Sequence, residues 1–149
     1  MSVSQRHRAR RLALQGLCCL DVQGNTAMSM VKEFLDDSDE GAAALADAHQ
    51  MVEAAHAQRE QIDATLARHA RHWEMGRLAM VDRNILRLAC WELWQGQTPM
   101  KVVISEALRL AQEFSTAESP RFVNGVLDAV AREMAGEMGR EVGSDTEPQ

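Results

Sequence analysis

The sequence predicts an all-α bundle of about seven helices, and three observations carry that prediction. Apolar residues recur at spacings of three and four along most of the chain, the period of a helix face and not of a strand. Nine methionines stand against three phenylalanines and no tyrosine, beside many alanines and leucines, a balance that favours helix over sheet. Turn signals at Gly24-Asn25, Gly96 to Pro99 and Ser119-Pro120 separate one apolar stripe from the next. At 149 residues the chain fits one domain, large enough to bury about two thirds of its unfolded surface.

The first helix is expected from about Gln5 to Val22, with Ala9, Ala13, Leu17 and Leu20 on one stripe. Arg6 and Arg10 extend that stripe toward the N-terminus. Since charge is disfavoured in a core, the first turns are expected to project past the body and present guanidinium groups in several directions. Thr26 can cap a second helix whose Ala27, Met30, Val31, Phe34 and Leu35 follow helical spacing. An acidic loop from Asp36 to Gly41 leads into a helix carrying Leu45, Ala48, Val52 and Ala55, and a further helix carries Ile62, Leu66 and Ala70. From Met80, a wide face of Val81, Ile85, Leu88, Ala89 and Leu93 follows, with Asp82 placed to complement the dipole at the helix start. Val103, Ala107, Leu110 and Phe114 line the next helix. The last begins at Ser119-Pro120 and buries Phe122, Val123, Val126, Leu127 and Val130. The expected organisation is an arginine-rich arm (1–11) leading into the first helix, an all-helical domain (5–135) and a disordered acidic tail (136–149).

Charge is distributed unevenly. The chain carries a formal charge of -6, yet Arg6, Arg8, Arg10 and Arg11 all precede the first acid, Asp21. A basic arm on an acidic body points to a local polyanion contact. No run is long and apolar enough to span a bilayer, and no signal peptide is evident, so a cytoplasmic location is expected. Cys18, Cys19 and Cys90 show no CxxC spacing and are expected to be reduced and mostly buried.

No catalytic constellation is found: the chain lacks GxxxxGK, GxGxxG and GxSxG motifs. The pairs His49/His56 and His69/His72 have no further ligand to complete a metal site, so neither a metal nor a cofactor is expected. The stretch from Ser115 to Gly125 differs. A helix start leaves backbone N–H groups free for a phosphate, Arg121 adds a cation, and Phe122 offers a stacking face for a base. Set against this, Phe122 fits the core pattern and Ser119-Pro120 fits an ordinary helix start. Gly125 weakens a helix, so its expected use is a close approach between helices.

Three blocks resemble the NusB family of bacterial antitermination factors. They are Arg8 to Leu17 (RARRLALQGL), Val81 to Ala89 (VDRNILRLA) with Glu92-Leu93 behind it, and Pro99 to Ala107 (PMKVVISEA) continuing through Phe114 to Ser119–Asp128 (SPRFVNGVLD). They fall in the family's order and spacing, and the likeness reaches about Met134. The resemblance implies an all-helical, non-catalytic protein. It would pair with NusE, a small-subunit ribosomal protein, and bind boxA of nascent RNA in an antitermination complex on RNA polymerase. Carried over by position, the implied RNA contacts are Arg6, His7, Arg8, Arg10, Glu118, Ser119, Arg121 and Phe122. Asp82 falls where an acid of the family faces NusE. The chain also departs from the pattern. Cys18-Cys19 stand near a usual aromatic, and if that ring helps hold RNA, this chain binds it more weakly. Ser105 replaces asparagine, Val103 alanine, and Trp91 tyrosine.

Two other readings have their own signatures. A NusB-like accessory domain of a ribosomal RNA methyltransferase would need an α/β domain with a Gly-rich loop and a catalytic cysteine. A self-associating scaffold would form a homodimer, which sedimentation with and without boxA RNA would reveal.

Overall fold

The structure, a computed structural model, describes residues 3–70 and 79–146. Its helices are α1 (Val3–Gln23), α2 (Met28–Asp36), α3 (Ala42–Ala57), α4 (Arg59–His69), α5 (Met80–Gln95), α6 (Met100–Phe114) and α7 (Ser119–Thr146). A single 3₁₀ turn, Asn25–Ala27, joins α1 to α2, and there is no strand among the described residues. None of these helices is long and apolar enough to cross a membrane. The all-α bundle expected from the periodicity is the fold observed.

Helix α5 is its axis, packing against α1, α3, α4, α6 and α7. Ile85, Leu88, Ala89 and Leu93 are buried as their spacing predicts, and so are Leu86, Cys90 and Trp91 on other sides. A helix apolar around most of its circumference has to be enclosed. It ends at Gly96, whose φ of 69° is the left-handed conformation that glycine adopts without steric cost. Burial pushes the Cys90 thiol up to about 12, helped by the charge of Glu133. Cys18 is likewise pushed up to about 11, by burial and then by Asp21. All three cysteines are free, with Cys90 buried and the adjacent pair half-buried.

Helix α1 lies mainly on α3, and also on α5 and α2, with Ala9, Ala13, Leu17 and Leu20 buried. Its far end is tied to α5. Asp21 Oδ2 accepts hydrogen bonds from Arg83 Nε at 2.8 Å and from Asn84 Nδ2 at 2.9 Å. Burial works against the Asp21 charge, but those bonds and the Arg83 and Arg87 charges outweigh it and hold the carboxyl below its ordinary value.

The close approach expected at Gly125 occurs at Gly16 instead. A Cβ on Gly16 would stand 3.0 Å from Val31 Cγ1 and 3.1 Å from Val52 Cγ2, whereas one on Gly125 would meet nothing within 4 Å. Gly125 is two residues from both Val123 and Leu127, hence on the opposite side of α7 from the buried face. Thr26 does not cap α2: it lies within the 3₁₀ turn, and Ala27 occupies the cap with no side-chain bond. On α2 only Val31 and Leu35 are buried, beside Ala27 at its cap, while Met30 and Phe34 are 54% and 46% exposed. The last helix also outruns its expected end. α7 continues to Thr146, because Glu137, Met138, Arg140 and Glu141 are good helix formers and proline is absent until Pro148.

Candidate nucleic-acid interface

The arginine arm is part of the bundle and does not project from it. Arg10 is 2% exposed, and its Nε and Nη2 donate to the two carboxylate oxygens of Glu92, each at 2.9 Å. That parallel, two-bond geometry is the strongest form an arginine–carboxylate pair takes. His7, also buried, places Nδ1 2.7 Å from Glu106 Oε2 and Nε2 2.9 Å from Glu113 Oε1. Arg6 Nη1 donates to Asp47 at 3.1 Å and Nη2 lies 3.5 Å from Glu92. Arg8 Nε donates to Glu40 at 2.8 Å. Arg11 pairs with Glu113 at 3.3 Å, and its guanidinium carbon sits 5.5 Å from the centre of the Phe114 ring.

The expectation of a projecting arm fails because core-phase acids on other helices answer its charge. Asp47 stands among Ala44, Ala48 and Met51, Glu92 on the stripe of Ile85, Leu88 and Ala89, and Glu106 beside Val103, Ala107 and Leu110. These acids, with Arg11, Glu113 and Phe114, are the residues that sequence reasoning missed. The signal was present: a charged residue in phase with an apolar stripe requires a partner of opposite sign. Burial pushes the Asp47 carboxyl above its ordinary value. Arg6 and Arg10 pull it back, and the nearby Glu92 charge acts with burial.

The second half of the interface is the turn from α6 to α7. Asp82, in the first turn of α5, accepts from Ser115 Oγ at 2.6 Å and from Ser119 Oγ at 3.0 Å. The Thr116 backbone N–H donates to Ser119 Oγ at 3.3 Å. Asp82 and Ser119 are both buried. A carboxylate with two hydroxyl donors fixes the turn against α5, and so fixes where α7 begins. Beyond that anchor, Glu118 and Arg121 are exposed and Phe122 is half-buried, packed on the core. Arg121 has no acidic partner among the described residues.

The two halves meet. His7 and Arg11 rest on Glu113 and Phe114, and Phe114 is the last residue of α6 before the turn. His7 and Arg11 thus reach the end of α6 that leads into the turn carrying Glu118, Ser119, Arg121 and Phe122. Arg6, Arg8 and Arg10 instead pair with Asp47, Glu40 and Glu92 on other parts of the bundle. Only part of this set faces solvent. Arg10, His7, Ser119 and Asp82 are buried, Glu118 and Arg121 are exposed, and Arg6, Arg8 and Phe122 lie between. Of the histidines elsewhere, His49 lies 2.8 Å from Asp36 and His69 3.2 Å from Glu133, while His72 lies outside the described residues.

Comparison with known proteins identifies relatives over most of the chain. Residues 7–132 match the model of the NusB family. The transcription antitermination protein NusB of Solibacter usitatus is 43% identical over 134 residues, covering 89% of this chain and 92% of that protein. Its counterpart in Symbiobacterium thermophilum is 39% identical over 147 residues, covering 91% and 95%. Among solved structures, T. maritima NusB superposes with a TM-score of 0.79 at 32% identity, covering 86% of this chain and 91% of that one. A chain from a crystal structure of antitermination factors NusB and NusE with double-stranded RNA gives 0.80 at 27% identity, covering 89% and 99%.

Proposed function

Because the chain belongs to the NusB family, we propose that it is a non-enzymatic, RNA-binding adaptor in transcription antitermination. With NusE it holds boxA of nascent ribosomal RNA in the cytoplasm and helps assemble the antitermination complex on RNA polymerase. One observation carries this reading. His7 and Arg11 of α1 dock on Glu113 and Phe114, the last residues of α6 before the turn that starts α7, which supports reading the two implied RNA-contacting segments together.

Exposure divides the labour between these segments. Arg121 meets a phosphate, and Phe122 offers its half-buried ring to a base at the start of α7. Arg6 and Arg8 reach the RNA from α1, while Arg10 and His7 hold α1 in place from beneath. Glu118 and Ser119 shape the entry to α7. Asp82 acts on NusE through the turn it anchors, since its carboxylate is already occupied by two serines.

The acidic body fits a shared task. Affinity for a polyanion rests largely on cations, and a chain of net charge -6 supplies few to spare. A basic ribosomal protein docked on it would bring its own. Fluorescence anisotropy of a labelled boxA RNA should therefore show weak binding by the chain alone and tighter binding with NusE. No gain on adding NusE would sink the adaptor reading.

A further inference from the structure

The ion pairs of the arm are of two kinds. Arg10–Glu92 and the contact of His7 with Glu106 are closed off from solvent, with each side chain at most 11% exposed. Arg8–Glu40 and Arg11–Glu113 lie at the surface, with the arginine side chains 41% and 48% exposed and the acids 27% and 31%. A carboxylate at 2.8 Å from Arg8 Nε occupies a donor that a phosphate oxygen would otherwise use. Surface pairs of this kind are weak, so a polyanion can displace them, but it must first break them.

We propose that Glu40 and Glu113 are internal competitors for RNA: each sits on an outward arginine of α1 in the place of a phosphate and keeps the chain's own RNA affinity low. The proposal rests on the RNA-binding reading above. It adds two acids that weaken RNA binding through the arginines they hold. Binding then requires exchange of one anion for another at Arg8 and Arg11, while Arg121, with no acid to displace among the described residues, is available from the outset. The apparent affinity is the intrinsic affinity multiplied by the fraction of time each arginine is free of its acid. An RNA that also gains from NusE overcomes the competition more readily than one bound by phosphates alone.

Glu40 gives the cleaner test, because Arg8 is its partner among the described residues, whereas Glu113 also contacts His7 and lies 3.7 Å from Arg109. The full-length chain is titrated against labelled single-stranded boxA RNA as wild type, Glu40→Gln, Arg8→Ala and the double variant. Glu40→Gln should tighten binding about two- to fivefold, the scale of an exposed ion pair. In the Arg8→Ala background the same substitution should change nothing, because the competitor then has nothing to hold. Equal tightening in both backgrounds would mean that only a repelling charge was removed, and would overturn the proposal. Unchanged or weaker binding by Glu40→Gln would overturn it as well. The same cycle with Glu113→Gln and Arg11→Ala should behave alike. If the wild type binds no RNA with or without NusE, the RNA-binding reading itself has failed, an outcome separate from any of these.

Discussion

The first and last helices use their arginines in opposite ways. On α1, Arg10 is sunk to 2% exposure and two of its N–H groups donate to Glu92. On α7, Arg121 stands in solvent with no acid set against it among the described residues. Their glycines follow the same division. Gly16 is crowded by two valines, and Gly125 faces open space. The difference separates two uses of one residue type. An arginine answered inside the fold holds a helix where it is needed, and an unanswered one is free to meet a ligand. Sequence position near a basic cluster does not distinguish them; the phase of acids on other helices does.

The sharpest way to break this comparison is Arg10→Ala. It leaves Glu92, 3% exposed, with Arg6 Nη2 at 3.5 Å in place of its two-bond partner, and removing one partner of a buried ion pair costs about 3–5 kcal/mol. Urea unfolding should show that loss. A variant as stable as wild type would mean that α1 does not depend on the pair. Arg10→Lys should recover only part of the loss, because an ammonium lacks the planar fork that meets both oxygens.

The glycines give a smaller effect with a change of sign. Gly16→Ala should destabilise by about 1–3 kcal/mol, since Val31 and Val52 are stiff, β-branched neighbours that must give way. Gly125→Ala should instead stabilise by about 0.5–1 kcal/mol, the ordinary helical advantage of alanine. Melting curves that moved both variants in the same direction would erase the distinction between the two helices.

Arg121→Ala should have the smallest effect on stability, within about 0.5 kcal/mol. Its effect belongs to binding. boxA affinity should fall, and the slope of log affinity against log salt should flatten by about 0.7, as for one lost phosphate contact on a single strand. An unchanged slope would show that Arg121 is not a phosphate contact.

Much of the fold was legible because the apolar stripes are long and regular. Ala9, Ala13, Leu17 and Leu20, and then Ile85, Leu88, Ala89 and Leu93, are all buried at the positions their spacing implies. Errors arose where a local rule met a tertiary partner. Phe34 matches the stripe of α2 by spacing, yet α2 is covered only on its Val31 and Leu35 side. Arg10 matches the stripe of α1, and the rule that charge avoids cores would expel it, but Glu92 lies opposite. At the interface, the Ser119-Pro120 helix start and its exposed Arg121 could be read locally. The coupling of Asp82 to Ser115 and Ser119 could not, because no short-range pattern links positions 82 and 119. Nor did any such pattern link the arm to Glu113.

The pairing of Arg10 with Glu92, 82 positions later, and of His7 with Glu113, 106 positions later, also has a temporal meaning. The arm leaves the ribosome before these two partners, which lie in the second half of the chain. At synthesis rates of about 5–20 residues per second, the arm waits roughly 4–20 seconds for the acids that will hold it. During that interval Arg10 and His7 lack these acids, while Arg6 and Arg8 already have Asp47 and Glu40 within the emerging chain. The seat of α1 on α3 is therefore available early, and its anchoring on α5 and α6 comes later. A chain stalled before Glu92 would carry α1 on α3 with Arg10 unanswered.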